Sequence, residues 1–165
     1  MTYFLQGFGV FLGVIAGVIV NIGVQRYLIW RSERQTVRNL KFELDFNIRK
    51  LDRFLEQMVL YRNAVNADSL STYFAYFDLS RIISATTYNM LYSGLLYKYL
   101  SHEDIAQLQA ILSGLSIQNE NFMNNQIWQN KLNFQKQKAA ADVDLWERMF
   151  KDYKRTLEEI EAKLK

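Results

Sequence analysis

Gly9–Asn21 reads GVFLGVIAGVIVN, with glycine at Gly9, Gly13 and Gly17 and asparagine at the next step of four, Asn21. Glycine costs a water-exposed helix about 1 kcal/mol relative to alanine. Yet five of the seven glycines in the 165-residue chain fall within its first 23 residues, where it is most apolar. No charged side chain occurs from Met1 to Gln25, and from Arg26 onward charges recur every few positions. This division predicts an all-α chain of two parts: an apolar anchor over residues 1–30 and an amphipathic helical body over 31–165.

The run from Tyr3 to Tyr27 is long enough to cross a ~30 Å hydrocarbon layer as a helix rising about 1.5 Å per residue. Between Phe4 and Val24 stand thirteen Leu, Ile, Val or Phe residues, which favour insertion by roughly 4 to 8 kcal/mol, reduced but not reversed by Gln6 and Asn21. Tyr3 and Phe4 at one end, and Arg26, Tyr27 and Trp30 at the other, suit the two interfaces. A cleaved signal peptide calls instead for a basic leader and a small-residue cleavage site after a shorter apolar run, and neither is present. A single N-terminal transmembrane helix is therefore expected. Arg26, Arg31, Arg34, Arg38 and Lys41 follow the apolar run against one acid, Glu33, and no basic residue precedes it. Basic residues stay on the cytoplasmic side, which predicts a cell-membrane protein with its N-terminus outside and its body in the cytoplasm.

On a helix wheel, Gln6, Gly9, Gly13, Gly17 and Asn21 gather on one side, and Phe8, Phe11, Leu12, Ile15, Val18, Ile19 and Ile22 on the other. Lipid tails gain nothing from a smooth groove. A second helix does, because small residues let two backbones approach, and Asn21 adds an interhelical hydrogen bond worth on the order of 0.6 to 2 kcal/mol. The expected role is an anchored assembly or scaffold protein, paired with another copy of itself or with a larger membrane-protein partner. The alternative is a homo-oligomeric ion channel with the glycine and asparagine stripe lining the pore. It lacks the charged ring that usually sets selectivity.

Beyond the anchor, Val37, Leu44, Leu51, Met58 and Val65 repeat every seventh residue, with Leu40, Asn47, Phe54 and Tyr61 at the companion position. That spacing predicts a helix of about thirty residues in an antiparallel helical bundle with coiled-coil-like packing. Asn47 is the polar member of the seam, placed either to set register or to meet solvent at an edge. Val143, Trp146, Phe150, Tyr153, Leu157, Ile160 and Leu164 predict a second seam helix, to pack on the first or on another chain. Tyr73, Phe74, Tyr76 and Phe77 form an aromatic knot, read as a core plug or as a docking patch. A helix capped by Asp78 is expected to run to near Leu100. Another is expected through Ile105, Leu108, Leu112, Leu115 and Phe122, followed by a solvated helix or junction over the amide-rich Gln118 to Lys138.

Function classes narrow by exclusion. The absence of cysteine removes disulfides, thiolate nucleophiles and zinc–thiolate sites. His102, the sole histidine, lies in SHED, Ser101 to Asp104, whose spacing is that of a capping box rather than a catalytic pair. No phosphate-binding glycine loop and no metal-ligand spacing occur, so neither enzyme chemistry nor a cofactor is expected. Net charge is +4 over residues 26–53, −3 over 54–130 and +2 over 131–165. The positive excess thus sits beside the bilayer, where anionic lipid is the fitting partner, and no basic stripe with interleaved aromatics elsewhere suggests nucleic acid.

Overall fold

A computed structural model describes the backbone of residues 2–73 and 76–164, and the side chains of these residues apart from 2–12 and Ser80. Its regular elements are helices, with no strand among the described residues: α1 (Thr2–Asn66), α2 (Ala85–Tyr92), α3 (His102–Gly114), α4 (Ile117–Leu132) and α5 (Lys136–Lys163). Short 3₁₀ turns occupy Leu70–Thr72, Leu79–Arg81 and Leu95–Lys98. The chain divides into two compact units, Met1–Arg38 and Asn39–Lys165.

Within the second unit, Leu40, Leu44, Leu51, Phe54, Met58 and Tyr61 of α1 are each at most 1% exposed. Val143, Trp146, Phe150, Leu157 and Ile160 of α5 are likewise buried. Phe54 and Phe150 bring their ring centroids to 5.3 Å, and Tyr61 stacks on Trp146 at 6.5 Å. Ion pairs flank these contacts: Arg62 reaches Asp144 at 2.8 Å and Glu147 at 2.5 Å, and Lys154 reaches Asp52 at 2.6 Å. Later residues of α5 meet earlier residues of α1, so the two run antiparallel here. These pairs are partly exposed and contribute at most about 1 kcal/mol each, so apolar and aromatic burial dominates.

Two members of the aromatic knot, Tyr73 and Phe77, are in the core. Phe77 stands edge-on to Phe54 at 5.6 Å and to Trp146 at 5.9 Å, and Tyr73 lies 4.8 Å from Tyr61. Burial, with Tyr61 beside it, pushes the Tyr73 phenol up to about 12. The hydroxyl therefore stays protonated and donates to the Gln57 carbonyl at 3.4 Å. Tyr76 is 39% exposed, and Phe74 lies outside the described residues.

The helix expected from Asp78 to Leu100 is broken up instead. Leu79–Arg81 forms one 3₁₀ turn, Ile82 is extended, and α2 starts only at Ala85. The Asp78 side chain makes no capping bond. Four side chains from other elements hold this stretch by its backbone. The Asn124 amide accepts from Phe77 N–H at 2.9 Å and donates to Phe77 C=O at 3.0 Å. The Glu120 carboxylate accepts from Leu79 N–H at 2.8 Å. Asn47 pairs in the same two-way manner with Ile83, and Glu43 accepts from Thr86 N–H, Thr87 N–H and the Thr87 hydroxyl. Ser84, at the local cap position of α2, makes no side-chain cap bond, so a carboxylate from α1 replaces it. Orphan donors at a helix start need such partners, and an anion there also meets the positive end of the helix dipole. Asn47 is 1% exposed and neither faces solvent nor pairs with another asparagine; it fastens a neighbouring segment.

The SHED sequence forms the capping box: Asp104 N–H donates to Ser101 Oγ at 3.1 Å and Ser101 N–H to Asp104 Oδ2 at 3.2 Å. Helix α3 ends at Gly114 rather than running on to Phe122, and Ser116 caps α4. Asn119 turns back to donate to the Ser113 and Gly114 carbonyls at 3.2 and 3.0 Å, satisfying the end of α3. The amide-rich stretch is α4 and the junction after it, with Met123, Ile127 and Asn130 buried and Phe122, Trp128 and Phe134 exposed.

Candidate functional site

The first unit is the helical stretch up to Arg38. It holds a segment long and apolar enough to cross a membrane, none of it buried. Val14, Val18, Ile19, Val20, Ile22, Val24, Leu28 and Ile29 are 49 to 64% exposed. These positions cover every side of the helix, so exposure here is not the outer edge of an amphipathic element. In water such a surface is unfavourable by about 25 cal/mol for each Å² of apolar area. In hydrocarbon it is the compatible solute, because the backbone hydrogen bonds are already satisfied inside the helix.

Along this segment a Cβ added to Gly13, Gly17 or Gly23 would meet no atom within 4 Å. Neither steric need nor backbone conformation within the chain calls for glycine at these three positions. Gly9 is helical, but its surroundings lie outside the described residues. Asn21 accepts from Gln25 Nε2 one turn further on, at 3.4 Å. This weak bond leaves the Asn21 amide able to donate elsewhere.

Arg26, Arg31, Arg34 and Arg38 are exposed in the first unit, whereas Lys41 belongs to the second and is half-buried. Arg26, Trp30, Arg34 and Arg38 recur every fourth residue, and Tyr27 and Arg31 stand beside them, so aromatic and basic groups share one side of the helix. The Tyr27 and Trp30 ring centroids are 6.0 Å apart. The Arg34 guanidinium carbon lies 4.1 Å from the Trp30 ring centroid. The Trp30–Arg34 pair goes beyond the charge expected of these arginines from the sequence. Its signal was in the chain, an aromatic and an arginine four apart on a helix.

The expected seam residues Val37, Leu44, Leu51, Trp146, Phe150 and Leu157 are all buried. Among the described residues no group of three or more histidine, aspartate or glutamate side chains is placed to hold a metal ion. His102 is exposed at the first turn of α3, its ring 5.3 Å from that of Tyr97. On Asp104, the Lys163 ammonium at 2.6 Å, assisted by Ser101, holds the carboxyl below the usual carboxylate range. That arrangement ties the C-terminal end of α5 to the start of α3, and it presents no nucleophile.

The chain matches no family model, no curated protein and no solved structure.

Proposed function

We propose that the chain is a single-pass membrane protein whose function is assembly: α1 anchors it, and the glycine face of the anchor packs against a transmembrane helix of another copy or of a larger membrane protein. The carrying observation is the apolar helix surface from Val14 to Ile29, exposed on every side. The open space at Gly13 and Gly17 supports the packing role, because nothing within the chain takes up the close approach that glycine permits. The excess of arginine after the apolar run supports an outside N-terminus and a cytoplasmic second unit. In this reading the second unit is a helical bundle in which α1 and α5 interlock by heptad packing, a reading supported by the Phe54–Phe150 and Tyr61–Trp146 contacts.

Alkaline extraction of membranes tests the anchor, which requires the chain to stay with the lipid pellet. Replacing Gly13 with isoleucine tests the packing face, and the expected result is a smaller assembly in mild detergent. Unchanged assembly size would remove self-association through this face. Cleavage of the second unit by protease added outside intact cells would reverse the orientation.

A further inference from the structure

The basic residues after the apolar segment do more than accumulate charge. Long helical side chains lean toward the N-terminus of their helix, and Arg34 does so far enough for its guanidinium carbon to sit 4.1 Å from the Trp30 ring centroid. The α-carbon of Arg34 stands about 6 Å further from the apolar segment than that of Trp30. Its charge is nonetheless carried back to the level of the indole. Tryptophan and tyrosine settle at headgroup depth in a bilayer, and Tyr27 and Trp30 stand together at the end of the apolar segment, 6.0 Å ring to ring. A guanidinium held by the face of an indole retains N–H donors in the fork geometry that matches phosphate oxygens. Arg26 and Arg38 extend the same four-residue row and Arg31 flanks it, with Glu33 as the one acid between Arg26 and Arg38.

We propose that Arg34, held over Trp30, forms together with Arg26 and Arg31 on the same side of the helix a recognition face for the phosphate of anionic phospholipid headgroups. The inference rests on the anchored reading above and adds to it a lipid class. A positive-inside signal needs only charge and specifies no stacking. The Trp30–Arg34 pair holds the phosphate-binding edge at the depth where lipid phosphates lie, which charge alone does not do. Arg34 is accordingly not replaceable by lysine, whose ammonium lacks the planar fork.

The test uses the full chain in symmetric phosphatidylcholine vesicles, into which a fraction of acyl-brominated phosphatidylglycerol or acyl-brominated phosphatidylcholine is introduced. Bromine quenches tryptophan on contact, and the part of the quenching lost in Trp30→Phe reports the lipid beside Trp30. The expected result is stronger quenching by the anionic lipid. That preference should fall on the order of fivefold in Arg34→Gln, by a smaller but measurable factor in Arg34→Lys, and further in Arg31→Gln/Arg34→Gln. It should also weaken as ionic strength rises. Equal quenching by both lipids, or a preference untouched by Arg34→Gln, would overturn the lipid face and leave the anchor standing. Loss of the preference in inorganic phosphate but not in chloride of the same ionic strength would assign the site to free phosphate and overturn it as well. Absence of Trp30 quenching by either lipid would instead take away the anchor, and the lipid face with it.

Discussion

The side-chain amide of Asn47 closes on both backbone groups of Ile83, donating to its carbonyl at 2.6 Å and accepting from its N–H at 2.9 Å. One polar residue in an otherwise apolar row thereby supplies the hydrogen bonds that Ile83, in the non-helical link between a 3₁₀ turn and α2, does not find in a regular element. Asn124 does the same for Phe77, so the irregular stretch before α2 is fastened at both ends by asparagine.

Replacing Asn47 with leucine extends the apolar row and strands two backbone groups. The loss is expected to be about 2 to 6 kcal/mol, because each buried unsatisfied group costs on the order of 1 to 3 kcal/mol. Urea unfolding of the detergent-solubilised chain measures it, and hydrogen exchange at the Ile83 amide localises it. A more stable Asn47→Leu protein would mean that the clamp contributes nothing.

Glu43→Gln keeps the shape of the side chain and removes the charge facing the first turn of α2. Thr86 N–H and Thr87 N–H, at 2.7 and 2.9 Å, then meet a neutral amide. The expected destabilisation is about 1 to 2 kcal/mol, from weakened charge-assisted bonds and a lost dipole interaction. Loss of protection should be greatest at the amides of Thr86 and Thr87.

A methyl group at Gly114 would collide with the Tyr153 ring, whose Cζ lies 2.9 Å from the position a Cβ would take. Gly114→Ala is therefore expected to cost about 1 to 3 kcal/mol by overpacking. Tyr153→Leu should relieve the collision, so the double variant should lose less than the sum of the two single losses.

Phe134 sits at φ 52°, in the left-handed region, where α4 ends in the bonds Gln135 N–H to Asn130 C=O and Phe134 N–H to Lys131 C=O. That pattern usually has glycine at the left-handed position. The Phe134 side chain is 76% exposed and loses little by removal. Phe134→Gly should raise stability by about 1 kcal/mol. An unchanged or lower unfolding midpoint would contradict the strain argument.

Acid should loosen the junction between α3 and α5. The Asp104 carboxyl is held low by Lys163, then by Ser101. A group whose folded value is depressed contributes above its unfolded value, about 3.9 for aspartate, and loses that contribution as pH falls through the folded value. Lys163 is raised in turn by Asp104, so its contribution is complete below its unfolded value of about 10.4 and fades as pH climbs past the raised one. Asp104→Asn should flatten both ends of the stability–pH curve, and an unaltered acid limb would exclude the pair as its cause.

Periodicity and apolar length were legible wherever a segment owes its form to its own residues. The apolar helix, the rows from Leu40 to Val65 and from Val143 to Ile160, and the Ser101 cap all depend on neighbours three, four or seven positions away. The stretch from Asp78 to Leu100 was expected as one helix because the groups that bend its first part, Glu43, Asn47 and Glu120, lie about forty positions away in the chain. Phe122 was assigned to the wrong helix for a related reason. The stop at Gly114 depends on Asn119 folding back onto two carbonyls and on a tyrosine packed against bare backbone.

The amino-acid sequence by itself determined that the chain is helical, where its apolar segment lies, and that two rows of large side chains need covering, because these follow from local periodicity and transfer free energy. Only the tertiary structure decided that Asn47 is a clamp, that Glu43 caps a helix not its own, and that Tyr73 and Phe77 are core. A polar group taken out of water must find its partner wherever the fold brings one, and separation along the chain carries no information about which partner that will be.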